Sequence, residues 1–237
     1  NVYYYDHSSL ATGSYQWRMY ANDTHGNNNE TDIFIFTVSQ IDASSLIHLY
    51  LNGTEANRSY TYGDLINAST SKDFSEGTLS LYLNGTLLGT ANSVENISLL
   101  SFGFWNLTTI FSETQNYTSA SKTYFANVSK ANTSLTLTFS PSNSVTYGTE
   151  TNVSCSADNN EVNFTLWRDG SLINSSIGSV VFDLANLIGG SYSYVCNNTA
   201  THNYSANSTS DILTINRQTS SCNLSFNPTS PQNYSME

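Results

Sequence analysis

The chain repeats itself at a spacing of 85 to 87 residues. "YGDLINAST" at 62–70 stands 85 residues before "YGTETNVSC" at 147–155, and "LSLYLNGTLL" at 79–88 the same 85 before "FTLWRDGSLI" at 164–173. Further on, "NYTSAS" at 116–121 faces "NYSANS" at 203–208 at a spacing of 87, a drift that one two-residue loop insertion produces. The outer segments join the pattern. "YYYDHSSLATGSYQW" at 3–17 sets against "VVFDLANLIGGSYSY" at 180–194, and "CNLSFNPTSPQNYSME" at 222–237 against "LTLTFSPSNSVTYGTE" at 135–150. A repeat of this length is a folding unit, and each copy must close its own core. The expected organisation is the C-terminal half of a repeat over 1–42, whole repeats over 43–131 and 132–218, and the first strands of another over 219–237. The chain starts at Asn1 without a signal-peptide pattern, so its ends read as processed or as cuts in a longer chain.

Inside each repeat the apolar residues alternate. Leu135, Leu137 and Phe139 share one face, and Val162, Phe164 and Leu166 alternate with Asn163 and Thr165. Asn84-Gly85 and Asp169-Gly170 lie between apolar runs and predict two-residue hairpin turns. No helical period of useful length occurs. Asn, Ser and Thr, which favour strands and turns over helices, supply the polarity that Lys and Glu usually supply. The expected fold class is all-β, as tandem antiparallel sandwiches of seven or so strands each.

The third repeat resembles the immunoglobulin-like fold. Cys155 follows "TNVS" on the second strand, Cys196 closes "YSYVC" on the penultimate strand 41 residues later, and Tyr194 sits two residues before it, at the tyrosine-corner position. The resemblance implies a Cys155–Cys196 disulfide between the sheets; two buried free thiols are the alternative. The core Trp of the antibody pattern is missing. Counting back four from Gly170 reaches Leu166, with Trp167 its outward neighbour; from Gly85 the count reaches Leu81, with Tyr82 outward. In the second repeat the two cysteine positions are Thr70 and Thr109, so its core is expected to rest on Trp105, Leu107, Leu81 and Leu83 without a staple. Trp167 and Tyr82 are expected to cover the sheet beneath a glycan or a neighbouring repeat, or else to form a contact surface.

Nineteen of the 30 Asn residues head an N-x-[ST] triplet without an intervening Pro. Ser and Thr frequency alone would give roughly eight. The acceptors are Asn22, Asn29, Asn52, Asn57, Asn67, Asn84, Asn96, Asn106, Asn116, Asn127, Asn132, Asn152, Asn163, Asn174, Asn197, Asn203, Asn207, Asn223 and Asn233. Asn106, Asn152, Asn163 and Asn223 have the strand parity opposite to the core, so glycans there would stand off the outer face. Glycosylation implies export, and export permits disulfides. In composition and fold the chain is similar to the tandem Ig-like surface glycoproteins of archaea, rich in Asn, Ser, Thr and Tyr and poor in Lys and Arg.

A net charge of −11 with seven Lys and Arg speaks against a nucleic-acid partner. No 18-residue apolar run suggests membrane insertion. His7, His25, His48 and His202 share no ligand spacing, no catalytic motif occurs, and no enzyme or cofactor is expected. The loop 22–32 offers Asp23, Asn27, Asn29 and Asp32 as oxygen donors for calcium, but its spacing matches no known loop and a plain polar hairpin is the preferred reading. Cys222 takes the core position of Leu135, or pairs beyond Glu237 or with another chain.

These features point to a glycosylated, adhesive or spacing protein of the cell surface or an extracellular filament. Its partners would be covalent N-glycans, neighbouring repeats and copies of itself, and the linkers near 42–44 and 130–133 are expected to be short and stiff. One alternative is a filament polymerising by strand exchange, with 222–237 completing 1–42 of the next subunit. That pairing leaves out the equivalent of 151–177. The other is a glycan-binding adhesin module, which would show one repeat with divergent loops.

Overall fold

The structure, a computed structural model, describes residues 8–225. Among these every regular element is a β-strand. The chain divides into two compact units, Asn1–Ala131 and Asn132–Glu237.

The first unit opens with β1 (Gly13–Trp17), β2 (Tyr20–Asn22), β3 (Asn28–Glu30) and β4 (Phe34–Val38). β1 pairs antiparallel with β4, and β2 with β3. A whole repeat follows: β5 (Ile47–Leu51), β6 (Arg58–Thr61), β7 (Leu65–Lys72), β8 (Leu79–Leu83), β9 (Thr86–Ala91), β10 (Glu95–Leu99), β11 (Gly103–Phe111) and β12 (Ala120–Ser129). The second unit repeats that series as β13 (Leu135–Ser140), β14 (Ser144–Thr146), β15 (Thr151–Ala157), β16 (Asn163–Arg168), β17 (Ser171–Ile177), β18 (Val181–Ala185), β19 (Gly190–Asn198) and β20 (Asn207–Asn216).

Sheet order is the same in both whole repeats. A three-stranded sheet, β10-β7-β5 or β18-β15-β13, belongs with a five-stranded sheet, β6-β12-β11-β8-β9 or β14-β20-β19-β16-β17. The third-repeat disulfide joins the second strand of the small sheet to the penultimate strand of the large one. This arrangement is an Ig-like sandwich. The register agrees residue by residue: Gly103 faces Val128 and Gly190 faces Ile215, and in the first hairpin Gly13 faces Val38. β1–β4 is therefore a third copy of the β11–β12 and β19–β20 pair.

Local chemistry explains the strand ends. Asn84-Gly85 and Asp169-Gly170 turn with all four residues at positive φ (46°, 80°, 49° and 78°), as a tight hairpin requires. Both hairpins carry a register shift two residue pairs from the turn, between Leu81 and Tyr82 and between Leu166 and Trp167. Pro141 has no N–H to give a ladder, and β13 stops before it.

Alternation decides the cores. β5 buries Ile47, Leu49 and Leu51, and β15 buries Thr151, Val153 and Cys155. Leu81 and Leu107 are buried with Trp105 and Leu83 packed against them, as expected, and Leu166 is buried while Trp167 and Tyr82 stay half-exposed. The segment expected as a linker near 42–44 is packed into the fold. Ala43 is fully buried with Ile47, Leu79 and Phe111, and Ile41 bridges Tyr117. Thr133 is likewise fully buried.

The tyrosine corner lies elsewhere than expected. Tyr194 is buried, but its hydroxyl binds a side chain, Asp183. Tyr192 makes the corner instead, its hydroxyl donating to the Ile188 carbonyl at 3.0 Å. Tyr15 donates to Ala11 in the same way at 2.6 Å, and the Trp105 indole N–H to Ser101 at 2.9 Å. Three aromatic residues thus hold the chain four residues upstream in three successive repeats.

Residues 219–225 form no strand, so Asn223 is exposed but not on a sheet, and Cys222 is free and exposed, not a core residue. The remaining opening-strand segment with Asn233, and His7, lie outside the described residues.

Candidate functional site

The distinctive chemistry of these units lies on their outer sheet faces. Cys155 and Cys196 form the disulfide, with their Cα atoms 5.9 Å apart and both residues fully buried. The equivalents in the second repeat are also buried. Thr70 faces Leu49 as Cys155 faces Leu137, and Thr109 faces Leu81 as Cys196 faces Leu166. Thr70 exchanges hydrogen bonds with Val94, but the Thr109 hydroxyl has no partner among the described residues.

The sequon asparagines sort by what holds their amides. None of those described is buried, whereas Asn198, which heads no sequon, is 4% exposed. Asn127, Asn152 and Asn163 are exposed strand residues whose side chains make no hydrogen bond among the described residues. Each stands directly across the ladder from an exposed apolar side chain: Phe104 (65% exposed), Leu184 (57%) and Ile177 (61%). Asn106 is half-buried beside Phe125, which stacks on Phe104 at 4.9 Å, and its amide oxygen accepts from Thr108 at 2.7 Å. Asn197 accepts from the Thr165 hydroxyl, which also receives the Trp167 indole N–H at 2.8 Å. Trp167 therefore lies on the outer face among sequon residues.

Other sequons are committed to the fold. Asn52 and Asn84 sit in turns at φ 46°, and their amide oxygens accept the backbone N–H of Asn67 and Asn106. Asn57 accepts from Phe125 N, Asn29 from Glu30 N and Asn174 from Ser175 N. Asn116 donates to Glu76 at 3.1 Å, Asn207 to the Thr133 carbonyl at 2.6 Å and Asn67 to Glu95 at 2.6 Å. Asn96 faces buried Ala68 and accepts from Ser98 on the core-side parity of β10. Asn132 and Asn22 are exposed, and Asn203 is half-buried.

The 22–32 loop is a hairpin. One Asp23 carboxylate oxygen accepts from His25 N and Asn27 N, both at 2.9 Å, and the other from Asn27 Nδ2 at 2.7 Å. N–H donors occupy the oxygens a cation would take, while Asn29 binds Glu30 N and Asp32 follows β3. Among the described residues no group of three or more His, Cys, Asp and Glu side chains is placed to hold a metal ion.

Two features escaped sequence reasoning. His48 on β5 carries a carboxylate on each ring nitrogen, Glu55 on Nδ1 and Asp73 on Nε2 at 3.2 Å, and Lys122 approaches Glu55 at 3.5 Å. Burial works against the charged imidazole, but the hydrogen bonds to Asp73 and Glu55 prevail and hold its pKa above the ordinary value. Its four members are separated by up to 74 residues, so no spacing announces them. The second feature is the aromatic face of β1–β4. Trp17 stacks on Phe34 at 4.9 Å and Tyr15 on Phe36 at 5.5 Å, yet Trp17, Phe34 and Phe36 are 48%, 48% and 42% exposed. Their register equivalents at Phe36, Leu213 and Ala126, are fully buried.

No family model matches the sequence, and no curated protein does. Among solved structures the chain is similar to the fibronectin(III)-like modules of Clostridium thermocellum CbhA, at 12% identity over 71% of this chain and 94% of that one, with a TM-score of 0.31. It is similar to a chimeric titin Z1Z2 at 11% identity over 78% and 100%, TM-score 0.32. It is also similar to the N-terminal eight Ig domains of Down Syndrome Cell Adhesion Molecule at 11% identity over 88% and 28%, TM-score 0.32. A Parabacteroides merdae beta-glucuronidase matches as well, at 11% identity over 72% and 24%, TM-score 0.28. The Ig-like assignment rests on the strand order and register of this chain itself.

Proposed function

We propose that the chain is a non-enzymatic, N-glycosylated tandem Ig-like element of the cell surface or an extracellular filament, serving as a stiff spacer and contact surface, in the manner of archaeal surface glycoproteins. One observation carries the reading: with nineteen sequons in the sequence, no described sequon asparagine is buried. Asparagine favours the surface in any fold, so the weight lies in how many sequons these sandwiches carry outside their cores. A glycan on an outer or edge strand keeps water at the sheet and blocks edge-to-edge pairing, work that charge performs in other proteins. The buried disulfide suits the same exported setting. Intact mass of the natively isolated protein, before and after deglycosylation, tests this. A loss of several kilodaltons is expected, and an unchanged mass would remove the sugar coat from the proposal.

A second reading is strand exchange between copies, which the parallel pairing at the edge of each large sheet would accommodate. In both whole repeats the strand equivalent to β4 carries a parallel neighbour, β6 beside β12 and β14 beside β20. Residues 222–237 repeat the sequence that forms β13 and β14. Sedimentation of the purified chain with and without an added synthetic 219–237 peptide separates the readings. Peptide-blocked oligomers would support exchange, and a monomer that ignores the peptide would dismiss it.

A further inference from the structure

We infer that the outer-face glycans are confined to sequons whose amide nitrogen is free, that Asn127, Asn152 and Asn163 are among them, and that the first sugar at each is seated on its cross-strand neighbour, Phe104, Leu184 and Ile177 respectively. This rests on the glycoprotein reading above and assigns which sites it uses.

The argument begins with the attachment chemistry. The Asn Nδ2 forms a bond to the anomeric carbon of a phosphate-activated oligosaccharide, and that carbon's bond to the phosphate oxygen breaks. The phosphate leaves with the electron pair, the amide gives up one proton, and a separate transferase provides the catalysis. The nitrogen must therefore be accessible and uncommitted. Asn127, Asn152 and Asn163 meet that condition. Asn67, Asn116 and Asn207 do not, since the amide nitrogen of each already donates a hydrogen bond, to Glu95, Glu76 and the Thr133 carbonyl respectively, which must break before the nitrogen can be presented. Asn96 is turned to the core side.

The repeat supplies an internal control. Asn67 and Asn152 occupy the same place in successive repeats, each facing an exposed aliphatic residue, Ile97 at 60% and Leu184 at 57%. They differ in the amide. Asn67 donates to Glu95 and its amide oxygen is buried without a partner, whereas Asn152 is exposed. The residue at the place of Glu95 is Phe182, which faces Ser154, the hydroxyl residue of the Asn152 sequon. Phe182 and Leu184 thus lie side by side across from that triplet, 55% and 57% exposed.

Direct cross-strand neighbours stand about 4.5–5.5 Å apart at Cβ. A pyranose on Asn152 therefore reaches Leu184 with its C–H face and removes apolar surface from water on both partners. Three sites share this arrangement on three different strands, β12, β15 and β16. Their apolar residues are exposed where sheet parity would place polar ones.

Glycopeptide mass spectrometry on the natively isolated protein reads occupancy site by site. Asn127, Asn152 and Asn163 are expected to be occupied in most copies, and Asn67, Asn96, Asn116 and Asn207 in few. Equal occupancy of the two groups, or the reverse order, would overturn the inference and leave the glycoprotein reading intact, while no glycan at any site would defeat that reading itself. Glu95→Ala is expected to raise Asn67 occupancy several-fold; no rise would overturn the role given to the free amide. The seating has its own test. Native protein should melt a few degrees above the Ser154→Ala variant, which lacks only that sequon, and the difference should vanish in a Leu184→Ser background. A difference that persists undiminished would overturn the seat on Leu184.

Discussion

The Tyr194 hydroxyl donates a 2.7 Å hydrogen bond to Asp183, on the same carboxylate oxygen that receives Arg168 at 2.6 Å. The three groups lie on β19, β18 and β16 and join the two sheets of the third repeat. The Asp183 side chain is only 11% exposed. Burial, with the hydrogen bond to Asp183 adding to it, holds the Tyr194 phenol far above its ordinary pKa. Tyr194→Phe removes one hydrogen bond to a charged group and is expected to cost about 1.5–3 kcal/mol. Asp183→Ala strands the guanidinium and the phenol together and should cost more, about 3 kcal/mol or above. Urea unfolding of the second unit measures both, and equal costs would contradict the shared-carboxylate account.

Repeat 2 fills the disulfide positions with Thr70 and Thr109, at 3% and 0% exposure. Replacing both with Cys is expected to form a disulfide spontaneously on air oxidation and to raise the first unit's stability by about 3 kcal/mol. Thr109→Val alone removes a buried hydroxyl without a partner and should stabilise by about 1 kcal/mol. Ellman titration and thermal melts check the pair.

Removing the native staple acts on one unit alone. The closed loop spans 41 residues, so Cys155→Ala with Cys196→Ala is expected to cost the second unit about 3–4 kcal/mol and leave the first unchanged. Calorimetry should show one transition moving and one stationary.

The His48 cluster makes the first unit pH-dependent. The folded pKa of His48 is raised, so its contribution is complete below the ordinary value of 6.5 and is lost as pH rises through the folded value. Glu55 moves the other way: partial burial opposes it, but the His48 hydrogen bond and the Lys122 charge lower its pKa below 4.5, so its contribution fades only in stronger acid. Asp73, Lys122 and the Tyr50 ring, stacked at 6.0 Å, complete the surroundings. The first unit should melt higher at about pH 5.5 than at about pH 8.5, and His48→Gln should flatten that difference.

Sequence legibility followed the range of the interactions. The Asn84-Gly85 and Asp169-Gly170 turns and the core parity of Leu81 and Leu166 depend on neighbours and could be read, while the Cys155–Cys196 pairing was implied only by the resemblance to the immunoglobulin-like fold. The tyrosine corner stands two residues from its expected position, because Tyr192 and Tyr194 share a strand parity and only three-dimensional reach tells a backbone carbonyl from Asp183. The commitment of the Asn67, Asn116 and Asn207 amides could not be read, because each partner lies between 28 and 74 residues away. Ala43 falls in the stretch expected as linker, because a single small residue gives no periodic signal. Its burial comes from Phe111 and Leu79, on strands of the following repeat.

The two whole repeats differ in how far they can lengthen under tension. If the second repeat is pulled open, all of it can straighten. In the third, the Cys155–Cys196 bond carries the load and shields the 41 residues it encloses. At roughly 3.4 Å per extended residue, about 140 Å of slack is withheld from that unit. A thread of such modules would yield in steps, giving way first and furthest where Thr70 and Thr109 stand in place of the cysteines.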